Sequence, residues 1–591
     1  MDNQRNLILA IVLSIILLFG WDFAMRTFYP EPTADPRQVA SRVDAPGVRA
    51  AIDPGTPGAD PAILVVRDLA EALAQAQRVR IDAPELRGSL NLTGARIDDI
   101  ELKTHRQTVE PDSGPIRLYA PSGTAGQKFA QFGWVGEGVN LPDGETVWQL
   151  VEGDQLTRET PVTLGWDNGE GLTFTLTFAV DQHYMFTVDQ AVRNSGEAPV
   201  ALRPYALVNR TSANASADSF NVHSGPIGAF DGAVDFGWDY DDVVDEGTHD
   251  NPGKTGWIGF TDVYWMSTLI PQEGSNATSA FRSLGNDRFR ADLYYDPVNI
   301  APGQTITNST RLFAGAKESA VLDIYEAQGV EKFGLAIDWG WFRFIAWPMW
   351  QVLIFLFDLV GNFGLAIICL TLIIRLLLFP VAQKQFKSMA QMRAVQPKMK
   401  ALQERYKEDK PKLQQEMARL YKEEKVNPLA GCLPIFIQIP IFFALYKVLM
   451  LAIEMRHEPF YLWLRDLSAP DPATILNLFG LLDFTPTGFL GIGVLAVVLG
   501  ITMWLQFKLN PAAMDPMQQQ IFMIMPWVLM FVMAPFAAGL LLYWISNNIL
   551  TLAQQKYLYS QNPQLREQAD KETAEKAKAA EREKSEQADK A

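Results

Sequence analysis

The chain has 591 residues, of which 48% are hydrophobic, with 15 Trp, 34 Phe and a formal net charge of −16. That length admits several domains, and the apolar, aromatic balance fits a membrane protein carrying a soluble portion. The two cysteines, Cys369 and Cys432, both fall in apolar runs, so a disulfide scaffold is excluded for the soluble portion, and a pI near 4.9 argues nothing about nucleic acid.

Residues 7–24 (LILAIVLSIILLFGWDFA) follow a short polar start, and WDFAMRTFYP after them lacks a small-residue cleavage site. Residues 1–28 therefore read as an uncleaved transmembrane anchor. The next stretch, 29–62, is rich in Pro, Ala, Gly and Asp and cannot bury a core, which makes it a flexible linker.

From 63 to 325 the period changes to two. Leu172, Phe174, Leu176, Phe178 and Val180 alternate with polar or small residues, and Tyr184, Phe186 and Val188 resume the period after a turn at Asp181–Gln182. This predicts an antiparallel hairpin. Similar runs at 96–104, 255–263, 290–295 and 305–313, separated by Gly, Asn, Asp and Pro turns, predict a large β-sandwich of sugar-binding appearance. His105, His183, His223 and His249 are scattered without metal-ligand spacing, so neither a metal nor a cofactor is expected. The segment GTHDNPGKT, Gly247 to Thr255, has five residues between its glycines where a P-loop needs four, and strand-like sequence follows it.

Residues 333–360 carry four tryptophans, 339, 341, 347 and 350, and are interrupted by Asp338, Arg343 and Pro348. They suit a helix lying along the outer membrane surface. A membrane core is then expected over 361–556. It begins with FGLAIICLTLIIRLLLFPV, whose single charge is Arg375. Burying an arginine at mid-bilayer costs roughly 2.5–3.5 kcal/mol, so such a residue marks function unless it snorkels to the interface. The later apolar runs 431–452, 489–508, 521–535 and 537–556 hold no acidic partner, which favours an Arg375 facing water in a protein cavity. Thr371 lies four residues earlier, on the same helical face.

Between the first two of these core spans, 384–426 forms a predicted helical hairpin: Phe386, Met389, Met392, Val395, Met399, Leu402 and Tyr406 recur at steps of three and four, and Leu413, Met417 and Leu420 continue after a KEDKPK turn. Twelve Lys/Arg against six Asp/Glu in 382–430, Lys398, Lys400, Arg405 and Lys407 among them, place this hairpin in the cytoplasm. Its basic face is open to three readings: solvated surface, contact with lipid head groups, or contact with ribosomal RNA. Alternating outward and inward gives six transmembrane helices with both termini cytoplasmic and 29–360 mainly periplasmic. The charged stretch 557–591 reads as a solvated cytoplasmic tail.

Long stretches of the chain resemble the YidC/Oxa/Alb family of membrane-protein insertases, nearly end to end. The most specific are MDNQRN, LTLIIRLLLFP, SMAQMRAVQPKM, YKEEKVNPLAGCLPIFIQIPIFFALY, LWLRDLSAPDP, DPMQQQIFMIMP and GLLLYWISN. The resemblance implies an α-helical polytopic inner-membrane protein in which five helices form a hydrophilic groove and a β-supersandwich lies in the periplasm. It implies groove roles for Arg375, Thr371, Gln438, Tyr543 and Trp544, no catalysis, and nascent membrane proteins, the Sec translocon, the ribosome and lipids as partners. One departure is FGLLDFTPTGFLGIG before the fourth span, which blurs that span's boundary over 475–495. Two rival functions are a solute transporter with an intramembrane anion site and a membrane-anchored carbohydrate-binding protein. The first is disfavoured by the absence of an inverted repeat, and the second leaves the spans unexplained.

Overall fold

A computed structural model describes residues 67–561, apart from 76, 111, 217–221, 252, 407–408, 425–432, 475, 478–481, 483–490 and 510–515. The anchor, the linker and the tail beyond 561 lie outside the described residues.

Residues 78–316 form two sheets, one of eleven strands and one of nine. Alternation explains why they stack. In Leu172–Val180 every second residue is buried, and the strand pairs antiparallel with Met185–Asn194, setting Phe178 opposite Val188 and Phe174 opposite Val192. These side chains meet the other sheet: Phe178 packs edge-on against Phe132 at 6.3 Å, and Phe174 lies 5.0 Å from Trp134. Burying each such aromatic contributes roughly 1.5–3 kcal/mol, and the paired geometry adds about 0.5–1.5. The stretch that resembled a P-loop is strand on both sides, Thr248–Asn251 and Thr255–Thr261, with Gly247 ending a short helix.

Eleven helices are described: α1 (Leu69–Ala74), α2 (Tyr240–Glu246), α3 (Ser319–Ala327), α4 (Arg343–Val360), α5 (Phe363–Leu377), α6 (Phe379–Arg405), α7 (Lys410–Glu423), α8 (Leu433–Leu451), α9 (Val494–Leu509), α10 (Pro516–Met533) and α11 (Ala538–Ser560). Gly361, left-handed at φ 66°, ends α4, and the Asn362 side chain accepts from Leu365 N at 3.0 Å to start α5. Asp409 does the same for α7. Helix α4 buries Ala346, Met349, Trp350, Leu353 and Leu356 along one stripe while Phe344, Phe355 and Leu359 stay exposed, an apolar outer face suited to lipid.

Helix α5 packs on α4 and α11, α8 on α4, and α9 on both α10 and α11. Among the described residues α4 alone is long and apolar enough to cross a bilayer, and α5 with the start of α6, bent by 57°, passes jointly. The apolar stretches 437–451, 494–508 and 523–533 are shorter. One hydrophobic core runs from the β-domain through α3 and Phe333 into the helix layer. The loop after α8 packs on the start of α5. There Phe460 presses so closely on Gly364 that a Cβ at that position would sit 2.0 Å from its ring. Asp471 accepts from Trp463 Nε1 at 2.9 Å and from Leu495 N at 2.8 Å, which ties the loop to the start of α9.

Candidate functional site: a polar cluster inside the helix layer

The polar groups of the helix layer converge because α11 carries Tyr543 and Asn547 one turn apart, on the face that meets α5 and α8. Arg375 of α5 donates from Nε and Nη2 to the single Asn547 Oδ1, at 2.8 and 2.5 Å. The partner is neutral, so the guanidinium keeps its full positive charge. One turn away, Gln438 Nε2 of α8 donates to the Tyr543 hydroxyl at 3.1 Å. Arg375 and Gln438 are partly exposed, whereas Tyr543 and Asn547 are buried. The cluster therefore sets a partly exposed guanidinium and amide against buried, hydrogen-bonded partners on α11.

The remaining sequence-derived residues divide. Thr371 shares the Arg375 face, but its hydroxyl donates to Ile367 O at 2.7 Å and the residue is buried, so it closes its own helix. Trp544 stacks at a tilt on Phe442, with ring centroids 4.9 Å apart, a packing contact between α11 and α8. In the hairpin, Lys398 donates to Glu424 at 2.5 Å, and Arg405 lies exposed with its guanidinium 5.7 Å from the Tyr406 ring. The Lys400 side chain and Lys407 lie outside the described residues. Val395 is buried, and the Tyr421 hydroxyl reaches Met399 Sδ at 3.9 Å, so α6 and α7 meet along an adaptable, sulfur-bearing seam.

Two residues escaped the sequence reading: Asn547, and its neighbour Asn548, whose Nδ2 donates to Thr502 Oγ1 of α9 at 3.2 Å. The signal was present in the triplet Ser546-Asn547-Asn548, since amides inside an apolar run must find partners on other helices.

Two sheets closed over one core, joined to apolar helices whose interior holds an arginine and several amides, fit the class of proteins that couple a membrane-embedded helical part to a large β-domain. Comparison with known proteins agrees. The model of the 60Kd inner membrane protein family matches residues 355–565, and that of the YidC periplasmic domain matches 78–352. The membrane protein insertase YidC of Zymomonas mobilis is 44% identical over 96% of this chain and 97% of its own. That of Bradyrhizobium diazoefficiens is 43% identical over 95% and 97%. A solved YidC insertase with its first transmembrane domain resolved aligns with 82% of this chain and 95% of that one, at 18% identity and a TM-score of 0.35. The chain belongs to the YidC family of membrane protein insertases.

Proposed function

We propose that this protein inserts nascent membrane proteins into the bacterial inner membrane through the cleft between α5, α8 and α11. The observation that carries this reading is the 43–44% identity to YidC insertases over nearly the whole chain. The mechanism needs no nucleotide and no covalent step. A polar external segment of the substrate enters the cleft beside Arg375, Gln438 and Tyr543, over a floor packed by Thr371 and Trp544, which shortens the apolar distance left to cross. The substrate's apolar segment then slides into lipid, and transfer at roughly 25 cal/mol per Å² supplies the driving force.

In the same reading the chain crosses the membrane six times with both termini in the cytoplasm. Residues 1–28 anchor it, 29–62 tether the β-domain of 63–325 in the periplasm, 333–360 lie along the outer interface, and 361–556 form the insertase core ahead of the tail 557–591. The hairpin 384–426, with Lys398, Lys400, Arg405 and Lys407 on its basic face, receives ribosome-bound chains, and the protein works alone or beside the Sec translocon among lipids. A photo-crosslinker placed at Gln438 or Tyr543 tests the reading. Adducts with ribosome-bound nascent membrane segments are expected, and their absence, alongside adducts from lipid-facing Phe355, overturns it.

A further inference from the structure

We propose that Asn547 is a positioning and specificity-determining residue: its amide oxygen aims the Arg375 guanidinium while leaving that group's charge uncancelled for the substrate. This rests on the insertase reading above and extends it. A guanidinium only donates, so the Asn547 amide must present its oxygen, and that one atom accepts from both Nε and Nη2 at 2.8 and 2.5 Å. Two donors on one acceptor fix the plane of the guanidinium fork. Asn547 is itself buried in α11, which limits its side-chain rotamers, and its backbone carbonyl accepts from Thr551 Oγ1 at 2.6 Å.

The identity of the partner is the point of the arrangement. A carboxylate in the same place, one atom different, would form a close ion pair and leave the cleft without net charge. An alanine would free the guanidinium to turn toward the nearer interface. An amide alone among these orients without neutralising. Among the described residues no Asp or Glu pairs with Arg375, so the charge a substrate meets depends on position 547 being neutral. The ligand class this selects is a substrate segment carrying carboxylates.

The test uses full-length protein in vesicles and one single-span substrate in three forms, with an acidic, neutral or basic external tail. The readout is the ratio of acidic-tailed to neutral-tailed insertion. Arg375→Gln should collapse that ratio. If it does not, the groove-charge reading itself fails. If it does, Asn547→Asp should lower the ratio about tenfold, the factor that ~1.4 kcal/mol of lost attraction represents. Asn547→Asp should also raise basic-tailed relative to neutral-tailed insertion, a gain that no folding defect imitates. Asn547→Ser, which keeps a neutral acceptor, should preserve the order of the three substrates. A ratio unchanged in Asn547→Asp while Arg375→Gln abolishes it would show that Asn547 is packing only and overturn the proposal.

Discussion

Arg456, in the loop after α8, donates from Nη1 to the carbonyl oxygen of Arg106 at 2.8 Å and from Nη2 to that of Gln107 at 3.3 Å, while its guanidinium lies 5.3 Å from the Trp265 ring. One side chain thus joins the helix layer to both sheets of the β-domain. Arg456→Ala should loosen this seam by on the order of 1–2 kcal/mol, since hydrogen bonds from a charged donor are worth about 1.5–3 and the site is partly solvated. Faster hydrogen exchange at 100–107 without loss of membrane integration is the expected result. Arg456→Lys should sit between, because lysine keeps the charge and loses the fork.

The Gln438–Tyr543 hydrogen bond joins α8 to α11 inside the helix layer. Bonds of this kind between membrane helices average about 0.6 kcal/mol. Gln438→Ala and Tyr543→Phe should each cost that order, and the double variant little more than either single one. Thermal unfolding in detergent checks the cycle. Gln438→Pro should cost far more, because Pro440 already interrupts the backbone bonding of α8.

Lys447 of α8 pairs with Asp338 at 2.6 Å on the wall of a cavity of about 620 Å³ that Trp339, Phe342 and Phe443 also line. Lys447 is the more enclosed partner, its side chain 10% exposed against 31% for Asp338. Removing the carboxylate takes away the counter-charge of a largely enclosed lysine, so Asp338→Asn should destabilise by about 1–3 kcal/mol, whereas Lys447→Met with Asp338→Asn should recover most of it. Melting temperatures of the four proteins in detergent measure the coupling.

Burial pushes Lys128 of the β-domain down to about 7 and Lys317 down to about 8, and both lie near the buried Asp262 carboxylate. A lysine whose folded pKa falls below its unfolded value binds fewer protons when folded. Stability should therefore rise with pH from about 7 toward 9, and the penalty is complete below that window. Lys128→Met should flatten this slope and leave Asp262 paired with Arg210 at 3.2 Å. Denaturant unfolding of the β-domain signal at pH 6, 7.5 and 9 decides it, with a parent gain on the order of 1–3 kcal/mol across the range.

The strands of 172–194 were legible in the sequence because side chains alternate across a pleated strand, so burying one face writes a period of two that needs no knowledge of the partner sheet. The apolar runs around Arg375 and Gln438 were legible for a similar reason: the cost of placing polar groups in hydrocarbon acts on each residue where it stands. The family, too, was readable, through long motifs such as YKEEKVNPLAGCLPIFIQIPIFFALY. Tertiary structure alone decided where the polar groups pair. Asn547 stands 172 residues from Arg375, and Tyr543 stands 105 from Gln438. Each pairing depends on the rotation and register of one helix against another, which side-chain packing sets over the whole layer. The same holds for Thr371: its face followed from helical spacing, but the turn of its hydroxyl back to Ile367 followed from burial under neighbours that no local pattern names. Periodicity belongs to the backbone and its solvent, whereas partnership belongs to the packed fold.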